Sequence, residues 1–213
     1  MFKNRYDAGL ELALKLEKYI GNNGIVLAVP RGGVPVGYVI ARDLKFPLEI
    51  ILSKKIGHPN NPEFAIGSVS LDGVIINENV TDVPKEYIQQ EAERILQNLK
   101  TKFNYYMGER VPSDLKNKIV IVVDDGIATG STIISTVLSI RKKEPKKIII
   151  AVPVASPGSI EKLNKIVDEI VCLSIPTNFM GVGQFYSDFS QVEDAEVIQL
   201  LKEANSKSNL VNS

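Results

Sequence analysis

Asp124 and Asp125 stand side by side at the end of an apolar run, Ile119 to Val123, and Gly-Ile-Ala-Thr-Gly-Ser-Thr (126–132) follows them. Two adjacent carboxylates repel and raise each other's pKa unless a cation or hydroxyl donors offset them. The small residues after them let backbone N–H groups approach a ligand closely. The helix they open, predicted over 130–142, adds unpaired N–H donors and a partial positive charge. Thr129, Ser131 and Thr132 contribute hydroxyls. Together these residues could cradle a phosphate, with a polyol or metal held by the acids about one loop away. A bare Asp-Asp pair also reads as an acidic strand end before a capped helix. A Walker-type carboxylate needs a G-x-x-x-x-G-K-[ST] partner, and no Gly-Lys-Ser or Gly-Lys-Thr occurs in the chain.

The elements that position these residues follow from periodicity. Leu12, Leu16, Tyr19 and Ile20 are helically spaced, with Ala13 between, and predict a helix over 5–20. Short apolar runs predict strands at 25–29, 47–52, 118–123, 147–152 and 169–175. Helices are expected at 34–45, from an Asp82 cap with Pro84 in the first turn to Met107, at 157–166 behind Ser156-Pro157, and at 192–203 behind a Ser190–Glu193 capping box. Residues 54–63 read as a loop, and Leu71-Asp72-Gly73 as the turn of a β-hairpin. Buried apolar strands alternating with helices argue for an α/β fold with a parallel sheet covered on both faces. Ligands then bind at the carboxyl ends of the strands, so the candidate loops are 30–33, 53–63, 124–132 and 153–158.

Composition narrows the classes. The 213 residues suit one domain, 25 Lys and Arg balance 25 Asp and Glu, and no basic stripe points to nucleic acid. No apolar run is long enough to span a membrane. The N-terminal stretch carries charges within its apolar pattern and lacks a signal-peptide core, and one cysteine, Cys172, allows no intrachain disulfide and no thiolate zinc cluster. A cytoplasmic location is the expectation.

Strand, two acids, one hydrophobic step and A-T-G-S-T together resemble the diphosphate-sugar (PRPP) motif of type I phosphoribosyltransferases. Pro30-Arg31-Gly32-Gly33 after IVLAV resembles that family's pyrophosphate loop, and SKKIGHP (53–59) its basic stretch. NRYDAG, PRGGVPV, KKIGHPNNPEFAIG and FYSDFSQVEDAEV resemble a branch of the family with no settled substrate. The resemblance implies a type I phosphoribosyltransferase fold: a central, mostly parallel sheet with helices on both faces, a flexible hairpin flap (64–82) and a small C-terminal hood (176–203). One domain over 1–203 and a disordered tail over 204–213 are expected.

The same resemblance implies the roles. Asp124 and Asp125 would bind the ribose hydroxyls and stabilise positive charge near the sugar. Ala128, Thr129, Gly130, Ser131 and Thr132 would hold the 5′-phosphate, and Arg31, Gly32, Gly33, Lys54 and Lys55 the pyrophosphate. Mg²⁺ would arrive on PRPP, near Asp124 and Asp125, with no protein cage. Hypoxanthine-guanine members carry an acid where Ala128 stands, and alanine transfers no proton. A 6-oxopurine enzyme of that design is therefore not expected. In the hood, Phe179, Phe185, Tyr186 and Phe189 could stack on a planar base or simply pack. The partners implied are PRPP, an unidentified base or similar acceptor, and a second copy in a homodimer. A PRPP- or nucleotide-sensing regulator without turnover, or a PRPP hydrolase, would need the same residues. His58 reads as a solvated loop residue with phosphate contact as the alternative, Glu63 as an exposed charge or a substrate-positioning group, and Arg5 with Asp7 as a solvated or inter-subunit pair.

Overall fold

A computed structural model describes residues 1–77, 80 and 82–206. Flap residues 78, 79 and 81, the Glu63 side chain and the tail from 207 onward lie outside the described residues. The main sheet has five parallel strands in the order β2 (Leu48–Ile50), β1 (Gly24–Ala28), β6 (Ile119–Val123), β7 (Lys147–Val154), β8 (Glu169–Ser174). Alternate residues of each strand serve opposite faces. Val26, Ala28, Ile121, Val123, Ile149 and Ala151 join the core under α1 (Arg5–Leu16), α2 (Gly33–Leu44), α3 (Lys85–Met107) and α6 (Asp194–Ser206). Ile25, Leu27, Val120, Val122, Ile148 and Ile150 join the core under α4 (Ser131–Arg141) and α5 (Pro157–Leu163). This two-sided burial is why the strands read as unbroken apolar runs. Among the described residues no helix is long and apolar enough to cross a membrane.

A second, antiparallel sheet runs β3 (Ser53–His58), β4 (Asn61–Ser70), β5 (Gly73–Ile76). The hairpin turn at Leu71–Gly73 stands where the sequence places it. The expected loop over 54–63 is instead mostly strand. Its Gly and Pro residues reflect an irregular edge: the register shifts at Gly57, where a Cβ would lie 2.6 Å from the Pro62 carbonyl. That close approach requires glycine. His58 ends β3 beside Asp82 at 3.2 Å, with its side chain only 14% exposed, so it is not a solvated loop residue. Asp82 correspondingly caps no helix: α3 starts after Pro84, without a side-chain cap. The last helix also differs. It begins at Asp194, so Ser190, four residues ahead of it, opens no capping box there, and its carbonyl accepts from Arg5. It runs on to Ser206 because Asn205 donates to the Leu48 carbonyl, closing the edge of β2.

Candidate active site

Strand order reverses between β1 and β6: the chain leaves β1 for β2 on one side and returns through β6 on the other. Loops that diverge there open a crevice at the carboxyl ends of the strands. The loop after β1 and the Asp-Asp loop after β6 face each other across it. The Val29 amide donates to the Val123 carbonyl at 2.9 Å. A Cβ on Gly33 would lie 2.7 Å from that carbonyl and 2.9 Å from the Asp124 Cα, and one on Gly32 would lie 2.0 Å from Asp125 Oδ2. Both glycines are thus needed for the two loops to touch. The Pro30–Arg31 peptide bond is cis.

The small-residue loop is shaped from β7. Ile127 bridges to Ala155, and Ser156 Oγ donates to the Ala128 carbonyl at 2.6 Å. Gly130 takes the left-handed conformation (φ 75°), which glycine adopts without a Cβ penalty. Helix α4 starts directly after it with no side-chain cap. Its first-turn N–H groups therefore have no side-chain acceptor, the arrangement that favours an anion. Thr129 and Ser131 are exposed beside them, their hydroxyls 3.4 Å apart, and Thr132 is exposed too.

The acids differ in their company. Asp124 accepts a 2.9 Å hydrogen bond from the Asp125 amide and forms no ion pair among the described residues. Burial, reinforced by the charge of Asp125, pushes its carboxyl well above the usual range. Burial raises Asp125 as well, but there a bond from Arg5 opposes it. Arg5 Nε donates to Asp125 Oδ2 at 2.8 Å, and the Tyr186 hydroxyl donates to the Asp125 carbonyl at 2.7 Å.

The remaining expected residues divide. Arg31 reaches towards α6, 3.7 Å from Asp194, whose carboxylate also accepts from the Tyr106 hydroxyl. Ser53 Oγ lies 2.9 Å from Thr136 Oγ1 of α4, and Lys55, two residues on, shares that face of β3. Lys54 takes the opposite face, towards α3. There the Glu91 carboxylate is held below its usual range by Arg94, against burial, with a smaller contribution from Lys54. Strand alternation thus brings Lys55 to the α4 side and takes Lys54 away from it. In the hood, Phe179 stacks on Phe185 at 5.8 Å and both remain partly exposed. Tyr186 is buried against Phe2 and Phe189, so its ring packs the hood.

The phosphoribosyl transferase domain family matches residues 3–190. The chain belongs to that family. It is 34% identical over 209 residues to a Mycobacterium tuberculosis (strain H37Rv) protein provisionally named a phosphoribosyl transferase. A counterpart in strain CDC 1551 matches equally. The alignment takes in 96% of this chain and 47% of the relative, so the chain spans about half the length of these relatives. The crystal structure of TT1426 from Thermus thermophilus superposes with a TM-score of 0.86 at 35% identity, covering 95% of this chain and 98% of that one. A five-stranded parallel sheet flanked by helices, with a small antiparallel sheet, is the phosphoribosyltransferase architecture.

Sequence reasoning also misplaced Arg5. Read as half of a solvated or inter-subunit pair with Asp7, it is 9% exposed and bound to Asp125. The signal was present in the helical spacing. Arg5 is in phase with Ala8, Leu12 and Leu16, all buried, so an arginine sits on the inward stripe of α1.

Proposed function

We propose that this family member transfers the phosphoribosyl group of PRPP to a nitrogenous base or similar acceptor and releases pyrophosphate. The observation that carries the reading is a Gly32–Gly33 turn pressed against two adjacent acids, one of them without an ion pair among the described residues, beside an uncapped helix N-terminus. A ribose bearing a phosphate at one end and a diphosphate at the other has matching needs. Asp124 and Asp125 accept from the ribose hydroxyls, and the charge of Asp124 favours the positive character that develops at the anomeric carbon. The amides and hydroxyls of Ala128 to Thr132 hold the 5′-phosphate. Arg31, the Gly32–Gly33 turn and Lys55 hold the diphosphate. The bond from the anomeric carbon to the diphosphate oxygen breaks as the acceptor nitrogen bonds to that carbon. The protein's contribution is alignment and charge. Phe179 and Phe185 form the acceptor-side aromatic face, and Tyr186 supports it.

Among the described residues no group of three His, Cys, Asp or Glu could cage a metal. The hard carboxylate oxygens of Asp124 and Asp125 suit Mg²⁺ that arrives on diphosphate oxygens and sits beside them. Bound there, it would neutralise the leaving group.

The test is calorimetric titration of PRPP with and without Mg²⁺, on wild type and on Asp124→Asn/Asp125→Asn. Mg²⁺-dependent binding lost in the double variant is expected, followed by pyrophosphate release with one member of a base panel. A folded wild type that ignores PRPP at high concentration overturns the proposal. Binding without turnover on any base makes the chain a PRPP-binding regulator, and ribose 5-phosphate formed without a base makes it a hydrolase.

A further inference from the structure

The two acids at the end of β6 are held differently, and the group that separates them is Arg5. Asn4 caps α1 by accepting a hydrogen bond from the Asp7 amide, so the helix begins at Arg5 and aims it at the core. The guanidinium is fixed on three sides. Nε donates to Asp125 Oδ2 at 2.8 Å, Nη1 donates to the Ser190 carbonyl at 2.8 Å, and the Phe189 ring centroid lies 4.0 Å from Cζ. The same Oδ2 stands where a Cβ on Gly32 would have to go. One carboxylate oxygen is therefore wedged between α1, the hood and the turn after β1. The hood is itself zipped to the N-terminal segment, since the Phe2 amide donates to Phe185 and the Ser187 and Asp188 amides donate to Phe2 and Lys3.

This inference rests on the phosphoribosyltransferase reading and refines its ribose site. We propose that Arg5 is a positioning residue: by engaging Oδ2 it makes Asp125 a strut that sets the Gly32 turn against the ribose site. It thereby leaves Asp124 as the acid that meets the sugar hydroxyls. A buried arginine suits the task because its planar fork bonds two acceptors at once, which a lysine ammonium at that distance does not reproduce. A lone acid beside a neutralised one also gives the site one net negative charge, rather than two that repel a phosphorylated ligand.

The experiment is a double-mutant cycle read as PRPP affinity in the presence of Mg²⁺, with thermal melts confirming folding. Arg5→Met is expected to weaken PRPP about 10- to 100-fold, the range for losing a charge-assisted hydrogen bond. Arg5→Lys should recover part of that. In an Asp125→Asn background, Arg5→Met should change affinity by less than about 3-fold, because both act through one carboxylate. Should Arg5→Met fail to fold, Arg5→Lys combined with Gly32→Ala serves the same cycle, since both displace Oδ2. The pH profile separates positioning from mere packing. The groups around Asp125 are Arg5 from α1, its neighbour Asp124 and Tyr186 from the hood, with Asp188 acting on Arg5. Arg5 is the cation of that set, so the affinity of Arg5→Met should fall away at higher pH than that of wild type. A packing role would lower affinity equally at every pH. Wild type that binds PRPP, together with additive losses and an unchanged pH profile, overturns this assignment alone. Wild type that does not bind PRPP overturns the underlying function, and the assignment with it.

Discussion

The two ends of the main sheet treat carboxylates in opposite ways. At the amino end, Glu169 opens β8 and receives Lys147 at 2.6 Å, Lys18 at 2.8 Å and the Tyr19 hydroxyl at 2.5 Å. Burial alone would raise its pKa, but those three donors outweigh burial and bring it down to about 2. Its neighbour Asp168 accepts from the Ile148 amide and pairs with Arg141 at 3.0 Å. At the carboxyl end the one cation, Arg5, pairs with Asp125 alone, and both acids are raised. Each end has two consecutive acids, so composition is not the difference. The amino end satisfies its charges and ties helix to sheet. The carboxyl end leaves Asp124 uncompensated beside an uncapped helix start, a pattern that lowers stability unless a ligand supplies the missing partners.

Breaking the satisfied end should have the largest effect on folding. Glu169→Ala leaves Lys147 and Tyr19 without their shared acceptor and should cost about 2–3 kcal/mol at neutral pH. That is a melting temperature lower by about 5–10 °C. The folded pKa of Glu169 is depressed. Its contribution is therefore complete above its ordinary value of 4.5 and is lost as the pH falls towards about 2. The gap between variant and wild type should close over that window. PRPP affinity should be unchanged, because the cluster lies at the far ends of β7 and β8. A variant as stable as wild type at pH 7 would remove the contrast between the two ends.

The unsatisfied end should respond with the opposite sign. Asp124→Asn removes a charge that the fold disfavours and should stabilise the protein by about 1–2 kcal/mol at neutral pH. The folded pKa of Asp124 is raised. Wild type therefore gains stability as the pH falls through that raised value towards 3.8, and the advantage of the variant fades over the same interval. Urea unfolding at several pH values measures both variants on one scale. An Asp124→Asn protein less stable than wild type at pH 7 would mean that the carboxylate is held by the fold, not kept for a ligand.

Legibility in the sequence followed the range of the interactions. The Asp-Asp loop, the Pro-Arg-Gly-Gly turn and the apolar strands are local patterns, and the structure brings those two loops into contact. What was hidden depends on distant partners. Lys147 reads only as the first residue of the strand over 147–152, because Tyr19 and Glu169 are far from it in sequence. β3 reads as a loop because its pairing partner, not its own composition, makes Ser53–His58 a strand. Arg5 needed its helical phase weighed against its charge. Tyr186 looks like any hood aromatic until its hydroxyl is found on the Asp125 carbonyl.

The smallest effect sharpens the contrast by testing whether burial, and not ion pairing as such, gives the amino end its strength. Lys143, at the end of α4, reaches Asp72 in the β4–β5 turn at 2.6 Å, a distance equal to that of Lys147 from Glu169. The Asp72 side chain is 38% exposed, against 20% for Glu169. It also has one cation in place of two cations and a phenol. An exposed pair gains little over hydration and is screened by salt. Asp72→Asn should therefore cost about 0.5 kcal/mol, a shift of about 1–2 °C in melting temperature, and the loss should vanish in about 1 M salt. The loss in Glu169→Ala should persist there, since salt screens a half-buried cluster much less. Equal, equally salt-sensitive losses in the two variants would place the strength of the amino end in charge count alone. Unequal losses with different salt dependence would place it in the buried cluster of donors that the carboxyl end withholds from Asp124.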